Sequence, residues 1–545
     1  MMKNTTAKNG YGMKRRLRFA SIFLLMTMLL TGCSLFHKHK YDCRVIDEKY
    51  RVSAEVNCLE YVSYYMSCSC GEVGEETFVS EEIGAHVFSK KTADLKYLKA
   101  DATLDSPEEY YMSCELCGAA GTETFFKGSK LRVYTDQEKT FYAPTSLTVT
   151  LYDTENGIYG FTYNTRSKPL RPVIQIAEGN DLTDYKEYYA TVEQASSYRD
   201  DDSKYTYYIV KAEVQLEGSK TYSYRAYDKY ADVGTEVTTL ETKDLTSEKF
   251  TFAHVSDSQM SKKTGSNLGK VLSKIVDRCD FVIHTGDVVE SSKYESEWKA
   301  MLNENYEYLS RICMMAISGN HETTYKNGSN EIFKHFHNKM PVQNTEKGYF
   351  YSFVYGNAKF IMLNANRLTG TKLTDDQYTW LVNELKSNTA TWTIVAMHNP
   401  LYSAGKYGSN PDYNSISTGL RAQLQGLFAE YGVDIVLQGH DHLVSRTHPI
   451  DGDGKTATET WKTVDGVKYS VDPNGVVYVM NGPAGDQTRS KSDYANSSLY
   501  NYIYSSKACS WAELEIDGNQ LTVVVKYTDG TNVSEYCRWG ILKTK

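Results

Sequence analysis

The hydrophobic and polar positions change their pattern several times along the 545-residue chain. A basic start at residues 13–18 precedes one apolar run, and residues 34 to about 127 are rich in cysteine. Between Ser129 and Ser247, short runs rich in Val, Ile, Thr and Tyr alternate with polar turns, which is typical of strands. After Phe250, apolar strands alternate with segments of helical spacing. The pattern predicts a multidomain protein with segments at 1–32, 33–127, 128–248 and 249–545.

The apolar run FASIFLLMTMLLTG has the composition of an export signal. Its 14 residues are too few to span a bilayer as a helix. Cys33 follows at once, and the string LLTGC resembles the lipobox of bacterial lipoproteins. The resemblance implies removal of residues 1–32 and attachment of more than one acyl chain at Cys33, as stable anchoring requires. We therefore expect an exported lipoprotein on the outer face of the bacterial cell membrane.

Five runs between residues 128 and 248 have the length and composition of strands, namely SLTVTLYD, GIYGFTYNT, RPVIQIAE, TYYIVKAEVQL and KTYSYRAYD. Strands at this spacing predict an all-β antiparallel sandwich of about 100 residues, of the fibronectin type III sort. We find no cluster of reactive side chains in these runs. The sandwich is therefore expected to support the next domain mechanically.

Residues 33–127 contain two copies of one small module. YYMSCSCG, which begins at Tyr64, recurs as YYMSCELCG, which begins at Tyr110. Four side chains of the first copy could form a tetrahedral zinc site, and these are His39, Cys58, Cys68 and Cys70. The second copy offers only His86, Cys114 and Cys117, because Leu104 or Asp105 stands opposite Cys58.

Disulfide bonding is the alternative for this region, because small exported modules need covalent cross-links for stability and their thiols can oxidise outside the cell. Apart from Cys33, its six cysteines are Cys43, Cys58, Cys68, Cys70, Cys114 and Cys117. The missing ligand in the second copy counts against zinc, while the repeated histidine counts against disulfides alone. Both alternatives stay open, and both predict a spacer or attachment module rather than a catalytic one.

Polar residues follow the apolar strands after Phe250. The strands occur in FTFAHVSD, DFVIHTGD, CMMAISGNHE, TWTIVAMHNP and VDIVLQGHDH. Because ligands bind at the carboxyl ends of the strands in an open α/β sheet, we expect these polar side chains to converge. The candidate metal ligands are Asp257, Asp287, Asn320, His398, His440 and His442.

Carboxylates and imidazoles suit Mn, Fe or Zn, and a carboxylate shared between two ions offsets their mutual repulsion. Two cations a few ångström apart can hold an attacking hydroxide and the phosphoryl oxygens. The ligand set therefore predicts hydrolysis of phosphoesters.

The motifs SDSQ, TGDVVE, SGNHE, AMHNP and QGHDH, in this order, resemble the five metal-binding motifs of the calcineurin-like metallophosphoesterases. A sandwich followed by KFTFAHVSDSQ is similar to purple acid phosphatases and their bacterial relatives. The resemblance covers about Ser129 to the C-terminus. It implies a four-layer α-β-β-α domain at 249–545, with two sheets flanked by helices.

The resemblance also implies a role for each motif residue. Asp257 and His442 would bind the first metal, and Asp287 would bridge both metals. The second site would be completed by Asn320, His398 and His440. His321 would donate a proton to the leaving group or contact the phosphate, while a metal-bound hydroxide would attack.

Two positions depart from the family pattern. Gln259 stands where many metallophosphoesterases have a second histidine ligand. Glu290 stands where purple acid phosphatases have the tyrosine that gives them their colour. We therefore expect a colourless enzyme in which Gln259, Glu290 or water fills the open position.

A net charge of −8 offers no general attraction to nucleic acid. We expect a phosphomonoesterase with two divalent or trivalent ions (Fe, Mn or Zn) and a phosphoester substrate. A phosphodiesterase or nucleotidase could use the same site. A non-catalytic surface lipoprotein that binds a wall polymer or a protein is the alternative from another class.

Overall fold

The computed structural model describes residues 38–199, 201, 203–259, 267–323, 331–341 and 349–544. The leader and Cys33 lie outside these residues, so the lipoprotein signal stays a prediction. The chain divides into two compact units, Met1–Arg132 and Val133–Lys545. Over the described ranges, we find no helix that is long and apolar enough to cross a membrane.

The first unit contains two three-stranded antiparallel sheets with the same strand order, one for each sequence copy. Their strands are Tyr41–Cys43, Tyr61–Cys68 and Val73–Ile83, then Leu98–Ala100, Glu108–Ser113 and Ala120–Lys127. A short 3₁₀ helix precedes the central strand of the first sheet at Glu48–Tyr50 and the first strand of the second at Leu95–Tyr97. The sequence repeat is therefore a repeat of structure.

Two antiparallel sheets follow the short helix Asp136–Lys139 in the second unit. One sheet has the spatial order Thr191–Tyr198, Lys204–Gln215, Ile158–Thr165, Thr145–Asp153. The other has the order Lys186–Tyr189, Pro172–Glu178, Thr221–Asp228, Val233–Gly234, with Thr238–Glu241 also paired to Thr221–Asp228. Phe161 of one sheet packs edge-on against Tyr224 of the other, with ring centroids 5.2 Å apart. The predicted all-β sandwich is therefore present.

Two mixed sheets follow the sandwich in the described part of the second unit. The first has the order Cys313–Ala316, Phe281–His284, Lys249–Val255, Ser510–Asp517, Gln520–Thr528, Val533–Leu542, Val467–Val471, Thr460–Val464. The second has the order Tyr351–Tyr355, Ala358–Met362, Trp392–Met397, Ile435–Gln438, Val477–Asn481, Val444–Thr447, Tyr500–Tyr504. A small ribbon pairs Leu368–Thr369 with Lys372–Leu373.

The helices connect these strands. The longer ones are Asn267–Ile275, Glu295–Glu304, Asp375–Lys386 and Ser415–Glu430. The shorter helical segments are Tyr306–Leu309, Glu331–Lys334, Lys406–Ser409 and Ser497–Leu499. Leu420, Leu424 and Phe428 share a buried cluster with Val395 and Val436, so their helix covers one face of the second sheet.

Aromatic side chains fill the space between the two sheets. Phe252 and Phe281 of the first sheet meet Phe360 of the second, with ring centroids 5.2 and 5.4 Å apart. The ring of Phe353 lies 5.7 Å from that of Phe281. Each such side chain contributes about 1.5–3 kcal/mol through burial. The two facing sheets form the central layers of the expected α-β-β-α arrangement, and the helix Ser415–Glu430 covers the outer face of the second sheet.

The strands that carry the motifs end at matching heights. Val255 pairs with His284, and His284 pairs with Ala316, both in parallel register. In the second sheet, Met397 pairs with Gln438 in the same way. The loops that follow these strands therefore begin at one edge of each sheet, where open α/β sheets bind ligands.

Candidate metal centre

Five predicted ligands come together in two overlapping groups. Asp257, Asp287 and His442 form one group, and their ligand atoms all lie within 4.8 Å of one another. The second group consists of Asp287, His398 and His440, within the same distance. Asp287 belongs to both groups. The arrangement is that of a two-cation site with one shared carboxylate.

Short contacts define each group. His442 Nε2 lies 3.3 Å from Asp257 Oδ1, and His398 Nε2 lies 3.3 Å from Asp287 Oδ2. The side-chain oxygen of Asn320 lies 3.0 Å from His398 Nε2, which adds a neutral oxygen donor to the second group. All the predicted ligands of the second site therefore lie together.

Backbone carbonyls fix the orientation of two histidine rings. His398 Nδ1 lies 2.8 Å from the carbonyl oxygen of Thr285, and His442 Nδ1 lies 2.5 Å from that of Gln487. A ring nitrogen facing a carbonyl donates its proton to it, so Nε2 is the nitrogen that each ring turns toward the other ligands, where it would bind a cation.

The backbone of the site is held in an unusual conformation. Of the twelve non-glycine residues with positive φ in the described part of the chain, five belong to this site. Their φ angles lie between 39° and 76°, and they are Asp257, Gln259, Asp287, His440 and His442. This left-handed conformation costs on the order of 1 kcal/mol per residue. Such clustering of strain is typical of functional sites.

Glu322 supports two of the ligand loops, and sequence reasoning assigned it no role. Its buried carboxylate accepts hydrogen bonds from the backbone N–H groups of Asp287, Val288 and Gly319 at 2.7–2.9 Å, and from Val289 at 3.3 Å. The side chain therefore joins the TGDVVE loop to the SGNHE loop. Its position directly after His321 was the available signal.

The protonation of the ligands suits cation binding. Burial opposes ionisation of Asp257, but His442 holds the pKa of this carboxyl well below its usual range. His398 likewise outweighs burial and lowers the pKa of Asp287. Burial lowers the pKa of His440 to about 3, so its ring is neutral. Despite burial, Asp287 raises the pKa of His398 to about 9, and this proton must leave when a cation binds.

The buried side-chain oxygen of Gln259 indicates whether cations fit this site. Gln259 Oε1 is buried and has no hydrogen-bond partner among the described residues, although such atoms are normally paired. The Gln259 side-chain nitrogen lies 3.1 Å from His321 Nε2. Two carboxylates, three imidazoles and an unpaired amide oxygen form a donor set suited to Mn, Fe or Zn.

Glu290 does not join either ligand group. Its carboxylate accepts a hydrogen bond of 3.0 Å from Gln487, and its carbonyl oxygen lies 2.6 Å from His321 Nδ1. The role of Glu290 as a possible ligand therefore stays a prediction. Its backbone orients His321, while its side chain is turned to Gln487.

The cysteines of the first unit are grouped differently from the sequence prediction. His39, Cys68 and Cys70 lie together. Cys58, which we had placed with them, lies instead with three ligands of the second copy, His86, Cys114 and Cys117. The reason is that the Cys58 loop is hydrogen-bonded to the chain just before His86.

Comparisons with known proteins agree with the geometry. Residues 250–444 match the family model of the calcineurin-like phosphoesterases. The chain is 29% identical over 210 residues to purple acid phosphatase 23 of Arabidopsis thaliana, covering 37% of this chain and 41% of that relative. It is 26% identical over 241 residues to a protein of the same plant named "Probable inactive purple acid phosphatase 1", covering 41% of this chain and 37% of that relative. The chain thus spans less than half the length of these curated relatives.

A solved structure shares the fold. A purple acid phosphatase from yellow lupin seeds (Lupinus luteus) aligns with a TM-score of 0.62 at 19% identity, over 74% of this chain and 75% of that chain. This likeness shows the fold, and the family match confirms the predicted calcineurin-like phosphoesterase domain at residues 250–444. Its relatives indicate the class of metal-dependent phosphoric ester hydrolases, whose purple acid phosphatase-like members use two metal ions.

Glu322→Gln tests the buried carboxylate. The amide nitrogen of glutamine cannot accept the hydrogen bonds that backbone N–H groups donate to Glu322, and unpaired buried donors cost about 1–3 kcal/mol. We expect a lower unfolding temperature and about 10- to 100-fold weaker metal binding, as for other groups that orient ligands. Calorimetry and metal titration measure both. The exposed Glu304→Gln is the matched control, and equal behaviour of the two variants would show that Glu322 does not organise the loops.

The metal-loaded protein is expected to be colourless, because Glu290 replaces the tyrosine of purple acid phosphatases. Absorption spectra of the iron-loaded protein check this prediction. Tyr407 packs against His440 with ring centroids 4.2 Å apart. A visible charge-transfer band that disappears in Tyr407→Phe would contradict the prediction and identify Tyr407 as an iron ligand.

Proposed function

We propose that this protein is a two-metal phosphoesterase that hydrolyses phosphate monoesters at the outer face of a bacterial membrane. The observation that carries this proposal is the Asp287 carboxylate shared between two groups of ligands. Such a carboxylate holds two like charges close together, which is the arrangement that in-line phosphoryl transfer uses.

Each ligand has a place in this proposal. The first cation would be held by Asp257, His442 and the shared Asp287. The second would be held by the shared carboxylate and by Asn320, His398 and His440. When bound, the cations supply Lewis-acid stabilisation of the phosphoryl oxygens and of the attacking water. Fe, Mn and Zn all suit these ligands.

His321 is the proposed proton donor to the leaving group. Its Nδ1–H donates to the carbonyl of Glu290, and its Nε2 lies 3.8 Å from Asp287 Oδ2, on the side of the ligands. Burial lowers the pKa of His321, but Asp287 and the Glu290 carbonyl outweigh it, so the pKa is raised. The protonated ring can therefore neutralise the oxygen that departs.

Arg489 supports the choice of monoesters over diesters. Its guanidinium donates to the carbonyl of His440 at 3.2 Å and lies 5.5 Å from the ring centroid of Tyr407. Asp441 holds the Tyr407 loop by accepting its backbone N–H at 2.9 Å. A fixed guanidinium beside the metal ligands favours the doubly charged monoester phosphate over the singly charged diester.

The location and the sandwich complete the proposal. The lipobox-like sequence before Cys33 would attach the chain to the membrane after export. The sandwich at residues 128–248, which we propose to be fibronectin-like, would hold the catalytic domain rigidly. A non-catalytic binding protein is the second candidate, because Gln259 replaces a usual ligand and one relative is named as inactive.

Asp287→Asn tests the shared carboxylate. We expect nitrophenyl phosphate hydrolysis to fall to background with Mn, Fe or Zn, because the neutral amide cannot offset the repulsion of two cations. Activity and bound metal per chain are measured on the same samples. The matched control is Asp277→Asn, whose side chain is 70% exposed. Equal rates for wild type and Asp287→Asn would mean that the activity arises elsewhere, and no wild-type activity on any ester would favour the binding protein.

Arg489→Ala tests the preference for monoesters. We expect kcat/KM for nitrophenyl phosphate to fall about 10- to 100-fold, as for loss of a charged hydrogen bond, and the value for bis-nitrophenyl phosphate to change much less. The exposed Lys491→Ala controls for net charge. A diester rate that exceeds the monoester rate in the wild type, or an equal loss for both esters, would rule out this role.

A further inference from the structure

The first unit holds four metal-ligating side chains that the phosphoesterase site does not use. The four ligand atoms of Cys58, His86, Cys114 and Cys117 all lie within 4.8 Å of one another. Cys58 Sγ is 3.4 Å from Cys114 Sγ, and Cys117 Sγ is 3.3 Å from His86 Nδ1. Zinc–sulfur bonds of about 2.3 Å place tetrahedral sulfurs about 3.8 Å apart. The group therefore has the number, type and spacing of ligands of a closed zinc site.

Cys58 reaches the second copy because its loop is docked beside His86. The N–H of Ala85 donates to the carbonyl of Val56 at 3.0 Å. A Cβ atom on Gly84 would lie 1.9 Å from the same carbonyl oxygen, so only glycine permits this approach of two backbones. The contact is made by main-chain atoms, which makes the position of Cys58 a property of the fold.

The turn of the second copy presents the other two sulfurs. Gly118 donates its N–H to the carbonyl of Cys114 at 3.1 Å and has a φ of 72°, which closes the CELCG turn. The hydroxyl of Tyr97 donates to the carbonyl of Gly118 at 2.5 Å. In the first copy, Tyr50 makes the same contact with Gly71 at 3.3 Å.

The docking contact recurs at the end of the second copy. The N–H of Leu131 donates to the carbonyl of Thr103 at 2.8 Å. These residues follow Ala85 and Val56 by 46 (131 − 85) and 47 (103 − 56) positions, which is the length of one repeat. In each copy, the segment that follows the last strand is therefore hydrogen-bonded to the loop of the same copy, at Val56 in the first and at Thr103 in the second.

This geometry accounts for the missing cysteine. Leu104 and Asp105 stand in the second loop where Cys58 stands in the first, and Arg132 follows His86 by 46 positions (132 − 86). The second loop thus faces a segment that has Arg132 where the first has His86. A cysteine at position 104 or 105 would therefore have no histidine with which to form a metal site.

We propose that Cys58, His86, Cys114 and Cys117 bind one zinc ion that locks the first copy to the second. Cys58, from the loop of the first copy, thus completes the metal site of the second copy. The thiols release their protons when zinc binds. Zinc is the preferred ion because three thiolates and one imidazole in a closed tetrahedral site are typical of structural zinc.

Cobalt substitution of the full chain tests the grouping of Cys58. Thiolate-bound tetrahedral Co²⁺ gives a sulfur-to-cobalt charge-transfer band, and the proposed phosphoesterase ligands include no thiolate. The Cys70→Ser variant lacks one ligand of the other group, which consists of His39, Cys68 and Cys70. We expect the band to remain in this variant. Adding Cys58→Ser leaves Cys114 and Cys117 as the thiolates of this site and should lower the band to about two-thirds of its intensity per bound cobalt. Adding Cys43→Ser, at a position outside both groups of ligands, should leave it unchanged. A band of unchanged intensity in Cys58→Ser overturns the proposal.

Thiol labelling gives a second measurement. It uses the wild-type chain, so its result does not depend on whether a variant folds. With zinc bound, we expect Cys58, Cys114 and Cys117 to be protected from alkylation. After chelation and denaturation without reductant, all three should be alkylated, as read by peptide mass spectrometry. If Cys58 and Cys114 stay unlabelled until a reductant is added, they form a disulfide and the zinc proposal fails.

Discussion

The Asp287 carboxylate occupies the one position that both groups of metal ligands share. It accepts the N–H of His321 at 2.9 Å, and its own backbone N–H is held by Glu322. Burial and the neighbouring Asp287 raise the pKa of Glu322 to about 7 in the metal-free protein. The two buried carboxylates repel each other, and this repulsion is relieved by a proton on Glu322 or by positive charge at the ligands. Cations bound at the ligands would therefore favour the ionised form of Glu322.

The strained backbone around these ligands is maintained by the packed sheets. Five non-glycine residues of the site have left-handed φ angles, each unfavourable by itself. At Gly319 a Cβ atom would lie 2.0 Å from Asp287 Oδ1, so the SGNHE loop approaches the shared carboxylate more closely than a side chain would allow. Parallel strands in register and the aromatic core between the sheets hold the loop ends in place. The strain is thus offset by distant packing.

The two kinds of metal ligand in this chain match two different physical needs. The oxygen and nitrogen donors of the second unit suit the two cations of the proposed phosphoesterase. The first unit has a small core, with Tyr50, Val62 and Tyr64 forming one buried cluster. Modules of this size gain stability from a metal or covalent staples because their apolar burial is limited. Sulfur ligands that close a site around zinc meet that need.

The sequence by itself determined the two copies in the first unit and the convergence of Asp257, Asp287, His398, His440 and His442. Strand patterns and strand-end motifs are local features, and parallel pairing brings strand ends together. Only the tertiary structure decided that Cys58 belongs with His86, that Glu290 turns to Gln487 and that Glu322 joins two loops. These outcomes depend on which backbone N–H and carbonyl groups meet between segments distant along the chain, and no periodicity of side chains records that.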